Sequence, residues 1–170
     1  MDLAKFIRDV PDFPKAGIIF KDITPLLKDP DALQDAIAQL AEPYWDQGVT
    51  DVIGIESRGF IFGSALALEL GVGFIPIRKP GKLPYITSRE EYQLEYGNDA
   101  IELHTDALNE HSNVVICDDL LATGGTAAAS VKLVQSLGAR IAGISFLIEL
   151  EFLSGKDKLP DVPVYTIIKF

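Results

Sequence analysis

Apolar residues along the chain follow two patterns, one typical of helices and one of buried strands. In the segment "DPDALQDAIAQLAEPYWDQG", Leu33, Ile37, Leu40 and Tyr44 recur at helical spacing. Asp29 before Pro30 resembles a helix cap followed by proline at the first helical position. The pattern predicts an amphipathic helix that is disturbed near Pro43.

The remaining apolar runs are continuous and alternate with helical segments. A strand is predicted at about 51–55, followed by a turn and a helix ending near Gly71, and then by the strand "VGFIPIRKPG". "NVVICDD" predicts a third strand, which is followed by a Thr-Gly-Gly-Thr turn and a helix ending at Gly138. "ARIAGISFLIEL" and "VPVYTIIKF" predict two more. This alternation indicates an α/β fold whose mostly parallel sheet is covered on both faces, with ligands at the carboxyl ends of its strands.

Two regions interrupt the alternation. The opening "VPDFPKAGIIFKDITPLL", residues 10–27, is rich in proline and aromatic residues. Residues 78–104 first mix glycine, proline and charge and then alternate like a β-ribbon. A long excursion of this kind is usually mobile or functional. With 170 residues in total, a single main domain is expected around these two additions.

Charge and cysteine content restrict the partners and the compartment. The formal net charge is -10, which argues against broad attachment to nucleic acid or to an anionic membrane. The single cysteine, Cys117, has no internal disulfide partner, and the start "MDLAKFIRDV" lacks a secretory pattern. Apolar runs are broken by charge, glycine and proline, so no spanning helix is expected. We therefore expect a cytoplasmic protein.

Three predicted strand ends carry charged or small residues. "GIESRGF" offers Glu56 and Arg58, "IRKPGK" offers Arg78, Lys79 and Lys82, and "CDDLLATGGT" offers two acids beside a glycine turn. Cationic side chains and the backbone N–H groups at a helix start both suit anions. Each turn alone has an ordinary structural explanation as a cap or a solvated turn. Their shared position after parallel strands favours one site for a ligand with more than one phosphate.

Known phosphate motifs do not match these turns. Gly81-Lys82 is followed by Leu83, unlike a Walker loop, and "GVGFIP" lacks the third glycine of a dinucleotide fingerprint. A receiver-like magnesium pocket at Asp118 and Asp119 would not need a glycine turn directly afterwards. The two acids instead suit a sugar phosphate, because ionised carboxylates accept hydrogen bonds from vicinal hydroxyls while the turn binds the phosphate.

The stretch "VVICDDLLATGGT" resembles the phosphoribosyl pyrophosphate motif of the type I phosphoribosyltransferases. The segments "PDFPKAGIIFKDIT", "GIESRGFIFG", "RKPGKLP", "YQLEYG" and "FLIELEFLSG" are similar to the adenine branch of that family, over nearly the full length. The resemblance implies the type I phosphoribosyltransferase fold in one domain over 1–170, with a small hood at about 1–27 and a flexible β-ribbon lid at about 79–104. It also implies purine salvage with Mg²⁺, in which adenine and phosphoribosyl pyrophosphate give AMP and pyrophosphate, and a homodimer with the "GIESRGF" and "RKPGK" regions near the subunit contact.

Site residues are carried over from the resemblance position by position. Catalysis is expected to involve Glu95 at the purine proton, together with Arg58, Asp118 and Asp119. Phosphoribosyl pyrophosphate or AMP would be bound by Glu56, Ser57, Gly59, Lys79, Lys82, Tyr96, Ala122, Thr123, Gly124, Gly125 and Thr126. Adenine would be bound by Ile19, Phe20, Lys21 and Leu150. No direct protein ligand for the metal is expected, because magnesium would be held mainly through the substrate.

Alternatives remain open at this stage. One is a transferase for hypoxanthine, guanine or xanthine, and another is a regulator that binds phosphoribosyl pyrophosphate without turning it over. The chain also departs from the family at two positions: Lys21 stands where arginine is frequent, and Cys117 stands where another apolar residue is usual. Lysine lacks the planar fork of arginine, and Cys117 is expected to pack as a small hydrophobe.

Overall fold

The computed structural model describes residues 1–94 and 97–170. Its strands are β1 (Arg8–Pro11), β2 (Ile19–Asp22), β3 (Asp51–Ile55), β4 (Gly73–Ile77), β5 (Thr87–Leu94), β6 (Gly97–His104), β7 (Asn113–Leu121), β8 (Arg140–Glu149) and β9 (Val164–Lys169). Its α-helices are α1 (Thr24–Lys28), α2 (Pro30–Ala41), α3 (Gly59–Leu70) and α4 (Gly125–Ser136). Short 3₁₀ turns lie at Leu3–Phe6, Glu42–Tyr44, Glu151–Leu153 and Gly155–Lys158.

A five-stranded sheet in the order β4-β3-β7-β8-β9 forms the centre of the molecule, and all of its neighbouring strands are parallel. The predicted α/β class and the predicted parallel sheet are therefore confirmed. From β3 the chain crosses to β4 on one side, and β7 then pairs with the other side of β3. The carboxyl ends of β3 and β7 thus flank the switch point, where ligands of open α/β sheets bind.

The capping signals at α2 act as the sequence predicts. The Asp29 carboxylate accepts hydrogen bonds from the backbone N–H groups of Asp31 (3.1 Å) and Ala32 (2.9 Å). The α-helix ends at Ala41, and the 3₁₀ turn that follows contains Pro43. Proline has no N–H to continue the α-helical pattern, so the predicted disturbance near Pro43 is confirmed.

Two hydrophobic clusters cover the two faces of the sheet. One joins α2 and α3 to residues such as Val115, Cys117 and Leu147. The other joins α4 and β6 to Ile116 and Phe146, which point to the opposite face. Successive residues of a strand face opposite sides, so continuous apolar strands are what a sheet covered on both faces requires.

The two regions that interrupt the alternation form antiparallel hairpins. β1 pairs with β2 at the start of the chain, and β5 pairs with β6 in the excursion. Within β6, Ala100, Ile101 and Leu103 are almost fully buried, so the base of this ribbon belongs to the core. The hood and lid boundaries stay predictions, and Glu95 and Tyr96 lie outside the described residues.

Among the described residues, no helix is both long and apolar enough to cross a membrane.

Candidate active site

Two adjacent carboxylates near the end of β7 form the acidic part of the site. Asp119 is 5% exposed, and Asp118 is partly buried beside it. Burial raises the pKa of Asp118 well above its usual value, and the neighbouring Asp119 charge raises it further. Burial also raises the pKa of Asp119, against the opposing effect of Arg58. Two desolvated acids side by side store an unfavourable interaction that hydrogen-bond donors of a ligand would relieve.

Arg58, directly before α3, connects the acids to the hairpin at the start of the chain. Its Nε lies 3.0 Å from Asp119 Oδ2, and its guanidinium lies 4.9 Å from the Phe20 ring centre. Among the described residues, Asp119 Oδ2 is buried without a hydrogen-bond partner. Arg58 therefore neutralises the charge of Asp119 but does not form a hydrogen bond with Oδ2. That oxygen remains available as an acceptor.

Gly59 permits the close approach of the α3 start to β7. A Cβ at this position would lie 2.7 Å from Asp118 Oδ1 and 2.9 Å from the Cys117 carbonyl oxygen. Any other residue type here would therefore displace Asp118 or the adjoining backbone of β7.

The turn at residues 122–126 forms a backbone cradle at the start of α4. Gly124 adopts a left-handed φ of 83°, and no side chain caps the helix among the described residues. The cradle borders a cavity of about 90 Å³ that is also lined by Asp118 and Phe146. Uncapped N–H groups at a helix start suit a phosphate.

Gly155, in the last 3₁₀ turn, supports this cradle from behind. A Cβ on Gly124 would collide with the Gly155 carbonyl oxygen, and a Cβ on Gly155 would collide with the Ala122 carbonyl oxygen. The two backbones pack in direct contact, which only glycine allows at both positions.

Basic groups line a second cavity of about 90 Å³ at the ends of β3 and β4. Its lining includes Glu56, Arg78 and Lys79, and it shares Asp118 and Thr126 with the first cavity. Glu56 accepts hydrogen bonds from Arg78 Nε (2.8 Å) and from the Lys79 backbone N–H (3.3 Å). These bonds fix the turn after β4 beside the turn after β3.

A hydrogen-bonded cluster joins Lys79 to the ribbon and the cradle. Lys79 Nζ donates to Asp99 and, at 3.2 Å, to the Tyr92 hydroxyl. The Tyr92 hydroxyl donates to Asp99 Oδ2 (3.1 Å) and accepts from Thr126 Oγ1 (3.2 Å). Although burial alone would lower it, the hydrogen bond to Asp99 raises the pKa of Lys79. The same bond from Lys79 lowers the pKa of Asp99, so both groups are charged at neutral pH.

The predicted base-binding residues lie on β2 and after β8. Ile19 is 56% exposed, and the Phe20 ring meets Phe13 edge-on at 5.2 Å. The Leu150 N–H donates to the Leu121 carbonyl oxygen (3.0 Å), and its side chain packs against the α2–α3 cluster. The Lys21 ammonium instead contacts Asp9 (2.7 Å) and lies 3.7 Å from the Phe170 ring centre.

Comparisons with known proteins identify the family. Residues 25–167 match the family model described as the phosphoribosyl transferase domain. The chain belongs to the phosphoribosyltransferase family. It is 57% identical over 164 residues to an adenine phosphoribosyltransferase from Nitrosococcus oceani, with 96% of each chain covered.

Solved phosphoribosyltransferase structures share the fold over almost the whole chain. The adenine phosphoribosyltransferase of Rhodothermus marinus is 54% identical with a TM-score of 0.95, covering 99% of this chain and 96% of that one. The Saccharomyces cerevisiae enzyme is 43% identical with a TM-score of 0.92, covering 97% and 96%. That yeast structure contains adenine and D-2,5-dideoxy-2,5-imino-altritol 1,6-bisphosphate. The predicted type I phosphoribosyltransferase fold is thereby confirmed.

Most of the residues predicted to bind substrate in this phosphoribosyltransferase lie around the two cavities. Glu56, Lys79, Asp118 and residues 122–126 line one or both of them, and Arg58 and Gly59 contact the acids. Ser57 and Lys82 are exposed, and their predicted contacts with phosphate stay predictions. The roles of Glu95 and Tyr96 also stay predictions.

Three residues around the site escape the sequence prediction. They are Tyr92, Asp99 and Gly155. Arg78, which the sequence names in the basic turn as suited to an anion, lines the second cavity. Gly155 ends the segment "FLIELEFLSG" that carries part of the family resemblance. Tyr92 and Asp99 are direct partners in the β5–β6 register, so a correct pairing of the ribbon would have placed them together.

Replacing Asp118 with asparagine is expected to stabilise the fold by about 1 kcal/mol at neutral pH, or roughly 2–4 °C in Tm, because it removes a buried charge repelled by Asp119. The folded-state pKa of Asp118 is raised, so its charge costs stability at high pH, and this cost disappears as the pH falls through that pKa. Urea denaturation at neutral and progressively lower pH should show the gain shrinking. Asp106→Asn, at an exposed turn, is the control. A variant no more stable than wild type at neutral pH contradicts this expectation.

Proposed function

We propose that this chain transfers ribose 5-phosphate from phosphoribosyl pyrophosphate to N9 of adenine, giving AMP and pyrophosphate. The observation that carries the proposal is the acid pair beside an uncapped helix start, with Asp118 lining both cavities. A ligand with two phosphate groups joined by a sugar fits this arrangement. Its hydroxyls meet carboxylates, and its phosphates meet the cradle and the cations after β3 and β4.

The chain's own residues would act mainly by positioning and by charge. Asp118 and Asp119 accept hydrogen bonds from the ribose hydroxyls and lie close to the positive charge that develops on the ring. Residues 122–126 hold the 5-phosphate. Lys79, Lys82 and backbone groups at Glu56–Gly59 meet the departing pyrophosphate. Glu95 handles the purine proton, and Tyr96 helps close the site against water, which would otherwise attack the oxocarbenium-like centre.

Adenine is proposed to bind in a flat apolar slot formed by the hood. The Ile19 backbone would read the purine edge, while Phe20 and Leu150 would cover its faces. The stacking of Arg58 near Phe20 supports this placement, because it connects the hood to the acid pair. The ammonium of Lys21 forms an ion pair with Asp9. Lys21 is therefore assigned to the adenine site only because it is adjacent to Phe20 in the chain, and its ammonium is given no contact with the base.

Magnesium is proposed as the metal that accompanies the diphosphate. Among the described residues, no three acidic, histidine or cysteine side chains converge as a metal cage. Asp118 and Asp119 are assigned to the ribose hydroxyls, so magnesium would be held mainly through the substrate, a mode that Mg²⁺ commonly adopts with substrate phosphates. When bound, magnesium would neutralise charge on the departing pyrophosphate.

A steady-state assay with phosphoribosyl pyrophosphate, magnesium and a panel of nucleobases tests the function. AMP formation from adenine is expected, with little product from hypoxanthine, guanine or xanthine. Conversion of another purine but not adenine would refute the base assignment and leave the transferase assignment intact. Tight binding of phosphoribosyl pyrophosphate without any product would instead indicate a sensor.

Replacing Phe20 with alanine is expected to raise KM for adenine about tenfold, because it removes an aromatic face from the base slot. KM for phosphoribosyl pyrophosphate should stay within about twofold. Initial rates with each substrate varied in turn measure both constants. Phe13→Ala is the matched control, since it removes only the ring that meets Phe20 edge-on. Equal increases in both KM values would contradict a role confined to the base.

A homodimer and a cytoplasmic location complete the proposal. Ile61 and Leu68 on α3, and Tyr85 and Ile86 after the basic turn, are exposed large apolar residues in the regions expected near the subunit contact. Free, fully buried Cys117 suits a reducing compartment. A sizing measurement that returns only the monomer mass would refute the dimer.

A further inference from the structure

The hydroxyl of Tyr92 touches groups from both halves of the proposed phosphoribosyl pyrophosphate site. It meets Lys79, which lines the cavity at the ends of β3 and β4, and Thr126, which lines both cavities. Its ring also covers the helix start, since a Cβ at Gly125 would lie 3.4 Å from Tyr92 Cδ2. The ribbon therefore contacts the phosphate cradle directly.

Asp99 enters the same place from the opposite strand. Tyr92 and Asp99 are cross-strand partners, so the hairpin brings the phenol and the carboxylate in as one unit. Asp99 bonds to both the Tyr92 hydroxyl and the Lys79 ammonium. On the same face of β5 as Tyr92, Glu90 lies 3.9 Å from Lys132 of α4, which adds a second contact between ribbon and helix.

The Asp99 carboxylate is already bound to the Lys79 ammonium, the cation that the proposed function assigns to pyrophosphate. An ammonium that is already neutralised by a carboxylate attracts a diphosphate less, and the carboxylate itself repels the incoming charge. Binding of the diphosphate to Lys79 must therefore either displace Asp99 or accept its repulsion.

We propose that Asp99 is an internal anion that competes with the diphosphate of phosphoribosyl pyrophosphate for Lys79. Tyr92 couples this competition to the phosphate cradle, because the same hydroxyl bonds to Asp99, Lys79 and Thr126. A diphosphate that displaces Asp99 from Lys79 therefore also perturbs the hydrogen bonds of the Tyr92 hydroxyl beside the helix start. The inference rests on the proposed function only in assigning Lys79 to the diphosphate.

The opposite role for Asp99 would be to orient Lys79 toward the ligand. The two roles predict opposite signs when the charge of Asp99 is removed. If Asp99 is a competitor, removing its charge tightens binding of the diphosphate. If Asp99 positions Lys79, removing its charge weakens that binding.

Asp99→Asn is expected to tighten the binding of inorganic pyrophosphate with magnesium by about two- to fivefold, in line with a partly exposed ion pair. Calorimetric titration measures this without turnover. KM for phosphoribosyl pyrophosphate should fall by a similar factor while KM for adenine stays unchanged. Asp99→Ser also removes the charge and should shift binding in the same direction. Agreement between the two variants shows that the effect does not come from a folding defect caused by asparagine.

Glu91→Gln is the matched control, since Glu91 lies on the same ribbon, is 63% exposed and pairs with Arg89 rather than Lys79. It should leave pyrophosphate affinity unchanged. Unchanged or weaker affinity in both Asp99 variants overturns the proposal, as does equal tightening in Glu91→Gln. If wild type makes no AMP but Asp99→Asn binds pyrophosphate more tightly, the proposed function fails and the competition at Lys79 stands.

Discussion

Replacing Asp118 and Asp119 together with asparagine is expected to lower kcat by about 10²–10³-fold while the protein stays folded. In the proposed function the two carboxylates bind the ribose, and asparagine keeps their shape but removes their charge. The loss falls on interactions that strengthen as positive charge develops on the ring, so kcat should fall more than KM rises.

The control for this double variant must carry the same change in net charge. Asp106→Asn combined with Asp161→Asn neutralises two exposed aspartates outside the site and should keep wild-type turnover. Single-turnover rates separate chemistry from product release, and circular dichroism with thermal melting checks folding. Near-wild-type kcat in the folded double variant would refute the assignment of the acids to the ribose.

The stability gain expected for Asp118→Asn and the loss of turnover expected for the pair have one cause. Burial raises the pKa of both acids, and the Asp119 charge raises the pKa of Asp118 further. The charged pair therefore costs folding free energy, which hydrogen-bond donors of a ligand would offset. Greater stability with lower activity at the same position is the pattern expected of a group kept for function rather than for folding.

Sequence patterns predicted the elements that local rules control. The cap at Asp29 and the change of helix type near Pro43 follow from hydrogen bonds within a few residues. Continuous apolar strands predicted the parallel sheet, because both faces of it are buried. The acids and the glycine turn are adjacent in sequence, so their convergence needed no knowledge of distant contacts.

Contacts between distant segments were beyond those rules. Gly155 supports Gly124 across about thirty residues, through a backbone contact that leaves no periodic pattern. Tyr92 contacts Lys79 and Thr126, and Asp99 contacts Lys79, only after the ribbon folds over α4. The sequence showed an alternating ribbon but not which of its faces would meet the site. Likewise, Lys21 was grouped with adenine by position, whereas its ammonium contacts Asp9 and Phe170.

Gly124→Ala is expected to lower kcat/KM for phosphoribosyl pyrophosphate by about 10²-fold and the free energy of unfolding by about 2–4 kcal/mol. Two effects combine. A left-handed φ of 83° is unfavourable for alanine, and the new methyl group would collide with the Gly155 carbonyl oxygen. Backbone cannot move aside as a flexible side chain does, so the cradle must shift, and its N–H groups would no longer point at the proposed 5-phosphate position.

Gly71→Ala separates the two effects. Gly71 also has a left-handed φ, of 69°, but a Cβ there would meet nothing within 4 Å, and it ends α3 away from the cradle. Its substitution should cost about 1 kcal/mol of stability and leave kcat/KM unchanged. Urea denaturation and initial-rate kinetics of both variants make the comparison. If Gly124→Ala loses no more stability than Gly71→Ala, the close packing against Gly155 does not hold in solution. If it loses stability but keeps kcat/KM, residues 122–126 do not hold the 5-phosphate.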